Sequence, residues 1–105
     1  MALLMHDVYF RLKDPSTSAA EGLMDSALRH LAPHAGVVFF ATGRRERSHQ
    51  REVNDLDFDV SLSVCFESKE AHDAYQATQE HLAFIEENQG NWQAVRVFDS
   101  TAQRP

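Results

Sequence analysis

Apolar and polar side chains alternate along residues 3–13, LLMHDVYFRLK. Leu4, His6, Val8, Phe10 and Leu12 share one face, and Met5, Asp7, Tyr9, Arg11 and Lys13 the other. A period of two predicts a strand with one buried face. Asp14-Pro15-Ser16 stops it, and Ser16 or Ser18 offers a hydroxyl to cap a helix. Leu23, Ala27, Leu28 and Leu31 then recur at helical spacing until Pro33 and Gly36. Residues 37–43, VVFFATG, form a short β-rich run closed by Gly43. Phe58, Val60, Leu62, Val64 and Phe66 next alternate with Asp57, Asp59, Ser61, Ser63 and Cys65, which predicts another half-buried strand. Ser68 caps a helical region from residue 69 that Gly90-Asn91 ends, and WQAVRVF, residues 92–98, is the last strand.

The order β-α-β-β-α-β, with both helical regions on one side of an antiparallel sheet, is the ferredoxin-like α+β plan. Helices cover only one face of such a sheet. The other, carrying Tyr9, Ser61, Ser63 and Cys65, is small and mixed rather than fully charged. Pairing with a second copy would cover it, so the pattern predicts a homodimer with facing sheets. The domain is expected to span residues 4–99, with 100–105, STAQRP, as a flexible tail.

Composition narrows the picture. At 105 residues, 43% of them hydrophobic and 25% charged, the chain holds one core and not two. A formal net charge of −6 argues against nucleic acid as the main partner. No apolar run approaches the roughly 20 residues of a membrane span, and the N-terminus turns polar too early for a signal peptide. The single Cys65 excludes an internal disulfide framework and reads as a small buried thiol, so a cytoplasmic location is expected. Arg44, Arg45, Arg47 and Arg51 cluster in GRRERSHQR, but Glu46 and Glu52 interleave them. A solvated hairpin loop explains that segment better than an anion site.

One stretch resists a simple reading. Tyr75 and His81, in AYQATQEHLAF, can both move protons, yet the segment reads as helix. Six residues at about 100° each leave the two side chains about 240° apart on an unbroken helix. The helix must break between them if they are to meet.

HDVYFRLK, AGVVFFATGRR, DFDVSLSVCFES and AYQATQEHLAF together resemble the stress-responsive dimeric A/B barrel (Dabb) family. The resemblance runs from about His6 to Asp99. It implies a homodimer whose two sheets close an α+β barrel, in agreement with the uncovered face. Relatives usually carry His-Pro between the Tyr and the later His, where this chain has Thr78 and Gln79. The proline breaker is missing, but Thr78 can cap a new helix over residues 79–89. His6, Tyr75 and His81 would then line one cavity, with Val8, Phe10 and Phe84 as its apolar walls.

The resemblance also implies chemistry. Positions His6, Tyr75 and His81 match the residues of plant members that resemble aldol-type polyketide cyclases. In that reading His81 is the general base, Tyr75 hydrogen-bonds the developing enolate and His6 assists or orients. Cofactor-free monooxygenases and small isomerases share the plan, and so would a domain that only binds an apolar or aromatic molecule. The concrete alternative is structural: a satisfied strand histidine, a core tyrosine and a surface histidine. No cofactor is expected. Nor is a metal, because His30 and His34 flank Pro33, His49 sits in the basic loop, and His72 is expected to be exposed early in its helix. The alternation of Asp55, Asp57 and Asp59 reads as a solvated strand end rather than a cation site.

Overall fold

The computed structural model describes residues 2–105. Strand β1 (Leu3–Leu12) leads through helix α1 (Thr17–His30) to β2 (Val37–Arg44). Strand β3 (Val60–Phe66) leads through α2 (Lys69–Gln76), α3 (Gln79–Asn88) and a 3₁₀ turn at Gln89–Asn91 to β4 (Trp92–Ala102). The strands form one antiparallel sheet in the order β2-β3-β1-β4. Each β-α-β passage thus skips one strand, which is the split arrangement of the ferredoxin-like fold.

The core lies between the helices and one sheet face. Val8, Phe10 and Leu12 from β1 and Val60, Leu62, Val64 and Phe66 from β3 meet Ala20, Leu23 and Ala27 of α1, Tyr75 of α2 and Phe84 of α3. Each large side chain so buried contributes about 1.5–3 kcal/mol. The caps are local. Ser16, not Ser18, accepts the Ala19 N–H at 3.2 Å, and Ser68 accepts that of Ala71 at 3.0 Å. Gly36 takes φ +92°, and a Cβ there would lie 2.8 Å from the Ala71 Cβ, so the approach to β2 requires glycine.

Three features depart from the pattern. Alternation places Phe58 with the core and Asp57 and Asp59 on the open face, yet the strand begins only at Val60. Phe58 instead stacks edge-on to Tyr9 of the open face, at 5.0 Å. Asp59 accepts the Leu12 N–H at 2.8 Å, where β1 shifts register against β4 after Arg11 and a backbone donor needs a partner. Second, β4 continues past Phe98, pairing Ser100 with Met5 and Ala102 with Leu3. Residues 100–102 are therefore strand, not tail, because β1 starts early enough to supply their partners. Third, His72 is buried, not exposed.

The open face keeps its apolar content. Phe39 and Phe98 are more than half exposed there, while Cys65 is sunk between Met5 and Phe39 on the neighbouring strands. Among the described residues no helix is long and apolar enough to cross a membrane.

Candidate functional site

Thr78 joins the two halves of the helical region. α2 ends at Gln76 and α3 begins at Gln79. Between them the Thr78 hydroxyl donates to the Tyr75 carbonyl at 2.8 Å and accepts the His81 N–H at 3.1 Å. One side chain therefore terminates the helix that carries Tyr75 and caps the helix that carries His81. The change of direction brings the rings of Tyr75 and His81 edge to face, with centroids 5.0 Å apart at 68°. His6 enters from the inward face of β1, its ring 6.2 Å from that of Tyr75. The three predicted polar residues thus converge, and α3 ends one residue earlier than the expected 89.

They converge on a cavity of about 200 Å³ between sheet and helices. Val8, Phe10 and Phe84, the predicted walls, line it, and Trp92, Val95 and Val97 complete it. Trp92 packs on Phe10 with ring centroids 5.0 Å apart and planes tilted by 41°, and its Nε1 is buried without a hydrogen-bond partner.

Burial sets the proton chemistry. It raises the Tyr75 phenol well above its usual range, so the hydroxyl remains a donor at neutral pH. His81 is pushed below the ordinary imidazole value, first by burial and then by the nearby His6 and His72, which favours its neutral, proton-accepting form. His6 Nδ1 lies 2.5 Å from Asp99 Oδ1. The two residues are direct partners in the β1–β4 ladder, so the sheet register itself holds this pair.

Sequence reasoning missed several neighbours. His72 lies 4.7 Å from His6, ring to ring, and His34 stands perpendicular to Tyr75 at 5.4 Å. A signal for His72 existed: it precedes Tyr75 by three residues and so shares its helix face. Asp99 was also within reach, since it continues the alternation Val95, Val97 on β4.

The charged segments are absorbed by the fold. Asp55 binds Arg96 at 2.6 Å and is held at a pKa of about 2 by it; Asp57 binds Arg11 at 3.1 Å. In the basic segment Arg44 donates to Thr17, Arg45 to the Leu56 carbonyl and Arg51 to Asn54. A second, wider pocket of about 450 Å³ lies on the open face under residues 53–58, lined by Tyr9, Arg96 and Phe98. Asp7 and Asp55 also line it, but no histidine does, and Asp55 is held by Arg96.

Fold and cavity together define the class: a ferredoxin-like α+β domain with a largely apolar cavity, open at Val95 and Val97 of β4, and a polar corner. The family is equally plain. Residues 4–102 match the Stress responsive A/B Barrel Domain, and the chain belongs to that family. It is similar to a Dabb family protein with a ferredoxin-like fold from Mesorhizobium loti, at 20% identity over 99% of this chain and 100% of that one, with a TM-score of 0.81. It is also similar to an Arabidopsis thaliana protein, at 22% identity over 97% of each chain, with a TM-score of 0.79. A third likeness is to a dimeric ferredoxin-like protein of unknown function from Thermobifida fusca, at 14% identity over 96% of this chain and 92% of that one, with a TM-score of 0.78. At these identities the likenesses carry the fold alone. No curated protein gives a significant match.

Proposed function

We propose that the protein is a homodimeric small-molecule-binding domain that holds a small apolar or aromatic compound in the cavity bounded by Val8, Phe10 and Phe84, with its polar end at His6, Tyr75 and His81. The observation that carries this reading is the composition of the cavity: apolar walls with a few convergent polar groups at one end. Its volume admits such an occupant. About 200 Å³ exceeds the roughly 150 Å³ that accepts benzene in an engineered apolar cavity, so one ring or a short chain fits within it. Dimerisation is supported by the exposed Phe39 and Phe98 and by the dimeric relative. The lone buried Cys65 accords with a cytoplasmic location.

A second reading is favoured by one pairing, a half-buried imidazole kept neutral beside a phenol kept protonated. His81 would remove a proton from a carbon flanked by carbonyls, and the Tyr75 hydroxyl would hydrogen-bond the oxygen that becomes the enolate. His6, held by Asp99, would orient the substrate. The carbanion would close on a second carbonyl of the same molecule, as in aldol-type polyketide cyclisation, and the resulting alkoxide would take the proton back from His81. In an isomerase that proton would return to a different carbon, and in a cofactor-free monooxygenase the carbanion would be oxidised by dioxygen.

The test is a thermal-shift screen of wild type and His81→Ala against single-ring aromatic acids, quinols and short polyketide-like diketones. Ligand at about 100 times its Kd adds about 2.7 kcal/mol and raises Tm measurably. Hits shared by both proteins, with turnover only in wild type, support catalysis. Hits without turnover support the binding domain, and silence across the panel overturns both readings.

A further inference from the structure

His6, His72 and Asp99 come from three different elements, and none belongs to a recognisable ligand spacing in the sequence. One ligand atom from each nevertheless lies within 4.8 Å of the other two. We propose that these three side chains bind a divalent transition-metal ion of the zinc type, one per chain, beside the organic cavity. The proposal does not rest on the function proposed above, although His6 is common to both.

The strongest observation is His72. It is 7% exposed, and its Nε2 is buried with no hydrogen-bond partner. An imidazole nitrogen left unpaired in a core loses its hydration with no bond in return, and a bound ion would supply that bond. The other nitrogen, Nδ1, faces Asp73 Oδ1 at 3.4 Å, and Lys69 fixes that carboxylate at 2.7 Å. A carboxylate behind one imidazole nitrogen, with the other left free, is the usual support of a metal-ligating histidine. It favours the tautomer whose lone pair sits on Nε2.

The donor set is chemically suited. Two imidazoles and one carboxylate are the ligands of many zinc sites that keep an open position, and of non-haem iron sites. Their bonds are about 2.0–2.2 Å long, which requires ligand atoms to be within about 4.3 Å of one another. A limit of 4.8 Å is met by small side-chain rotations. The short His6–Asp99 contact would open from 2.5 Å as the ion enters between the two. The scaffold is firm, since His6 and Asp99 are paired across the sheet and His72 packs at 5.2 Å on the fully buried Phe66.

The experiment is chelator treatment of the full chain, followed by titration with zinc and, separately, with cobalt(II), whose visible absorption reports coordination. One ion per chain is expected. His72→Phe, which keeps the aromatic packing, and Asp99→Asn should each lose more than about 100-fold in affinity, because removing a ligand exceeds the 10–100-fold cost of removing its support. Asp73→Asn should fall within that smaller range. His81→Ala should bind the metal as wild type does, so loss of the organic ligand and loss of the metal are separable. Equal zinc affinity in wild type, His72→Phe and Asp99→Asn would overturn the site, as would loss of binding on replacing His30 and His49 instead. Tm values for each metal-free variant show whether a lost affinity is merely a lost fold.

Discussion

At the residue scale, His81 and Tyr75 show how one environment produces two opposite tendencies. Burial disfavours charge, so the acid becomes weaker and the base's conjugate acid stronger. For His81 this has a thermodynamic consequence. Its folded pKa lies below the ordinary imidazole value of about 6.5, so well above that pH the residue is neutral in both states and contributes nothing to pH dependence. Below it the unfolded chain binds the proton first, and stability falls until the lower folded pKa is passed. Lowering the pH from about 7 to about 5 should therefore reduce Tm, and His81→Gln should flatten that slope, as measured by calorimetry. NMR titration should place the His81 midpoint below the ordinary imidazole value. The convergence of His6, Tyr75 and His81 was legible because the resemblance supplied the positions and Thr78 the break. The inward faces of His72 and Asp99 were legible from helix and strand spacing, but their meeting with His6 was not, since it depends on strand register across 93 residues of separation.

At the element scale the decisive feature is the junction of α2 and α3. Thr78→Ala removes the N-cap and should cost about 1 kcal/mol, checked by urea unfolding. The same substitution should separate the Tyr75 and His81 rings and weaken any ligand that needs both. Gln79→Pro is the informative counterpart. Gln79 is the first residue of α3, and Thr78 already has φ −79° and ψ 157°, the backbone that a following proline demands. The variant should be as stable as wild type or gain about 0.4–1 kcal/mol, since only the unfolded chain loses freedom. A large loss would mean that the junction is not the rigid break described. Gly36→Ala should be harmful by about 1–3 kcal/mol, from the left-handed φ alone before the contact with Ala71 is counted. Both junctions could be read from sequence, because caps and glycines act locally. The extension of β4 to Ala102 could not, because Asp99 and Ser100 interrupt the strand pattern and these residues owe their conformation to pairing with β1.

At the scale of the whole molecule, the sheet presents a worked core on one side and an unshared surface on the other. The homodimer proposed above would cover that surface. Equilibrium sedimentation should give about twice the 11.9 kDa chain mass, and Phe98→Glu should shift the population to monomer. Tm should rise with concentration for wild type and not for the variant.

The length of β4 adds a last consequence. It is an outermost strand of eleven residues, and its far side offers backbone donors and acceptors to any passing chain. Such edges seed aggregation unless charges, bends or closure protect them. Arg96 and Asp99 interrupt its apolar run, but Val95, Val97 and Phe98 remain substantially exposed. Closing two sheets into a barrel would hide these edges as well as the faces. Association would then act as a safeguard against insoluble deposits, and Phe98→Glu should scatter light at a lower temperature than wild type on heating.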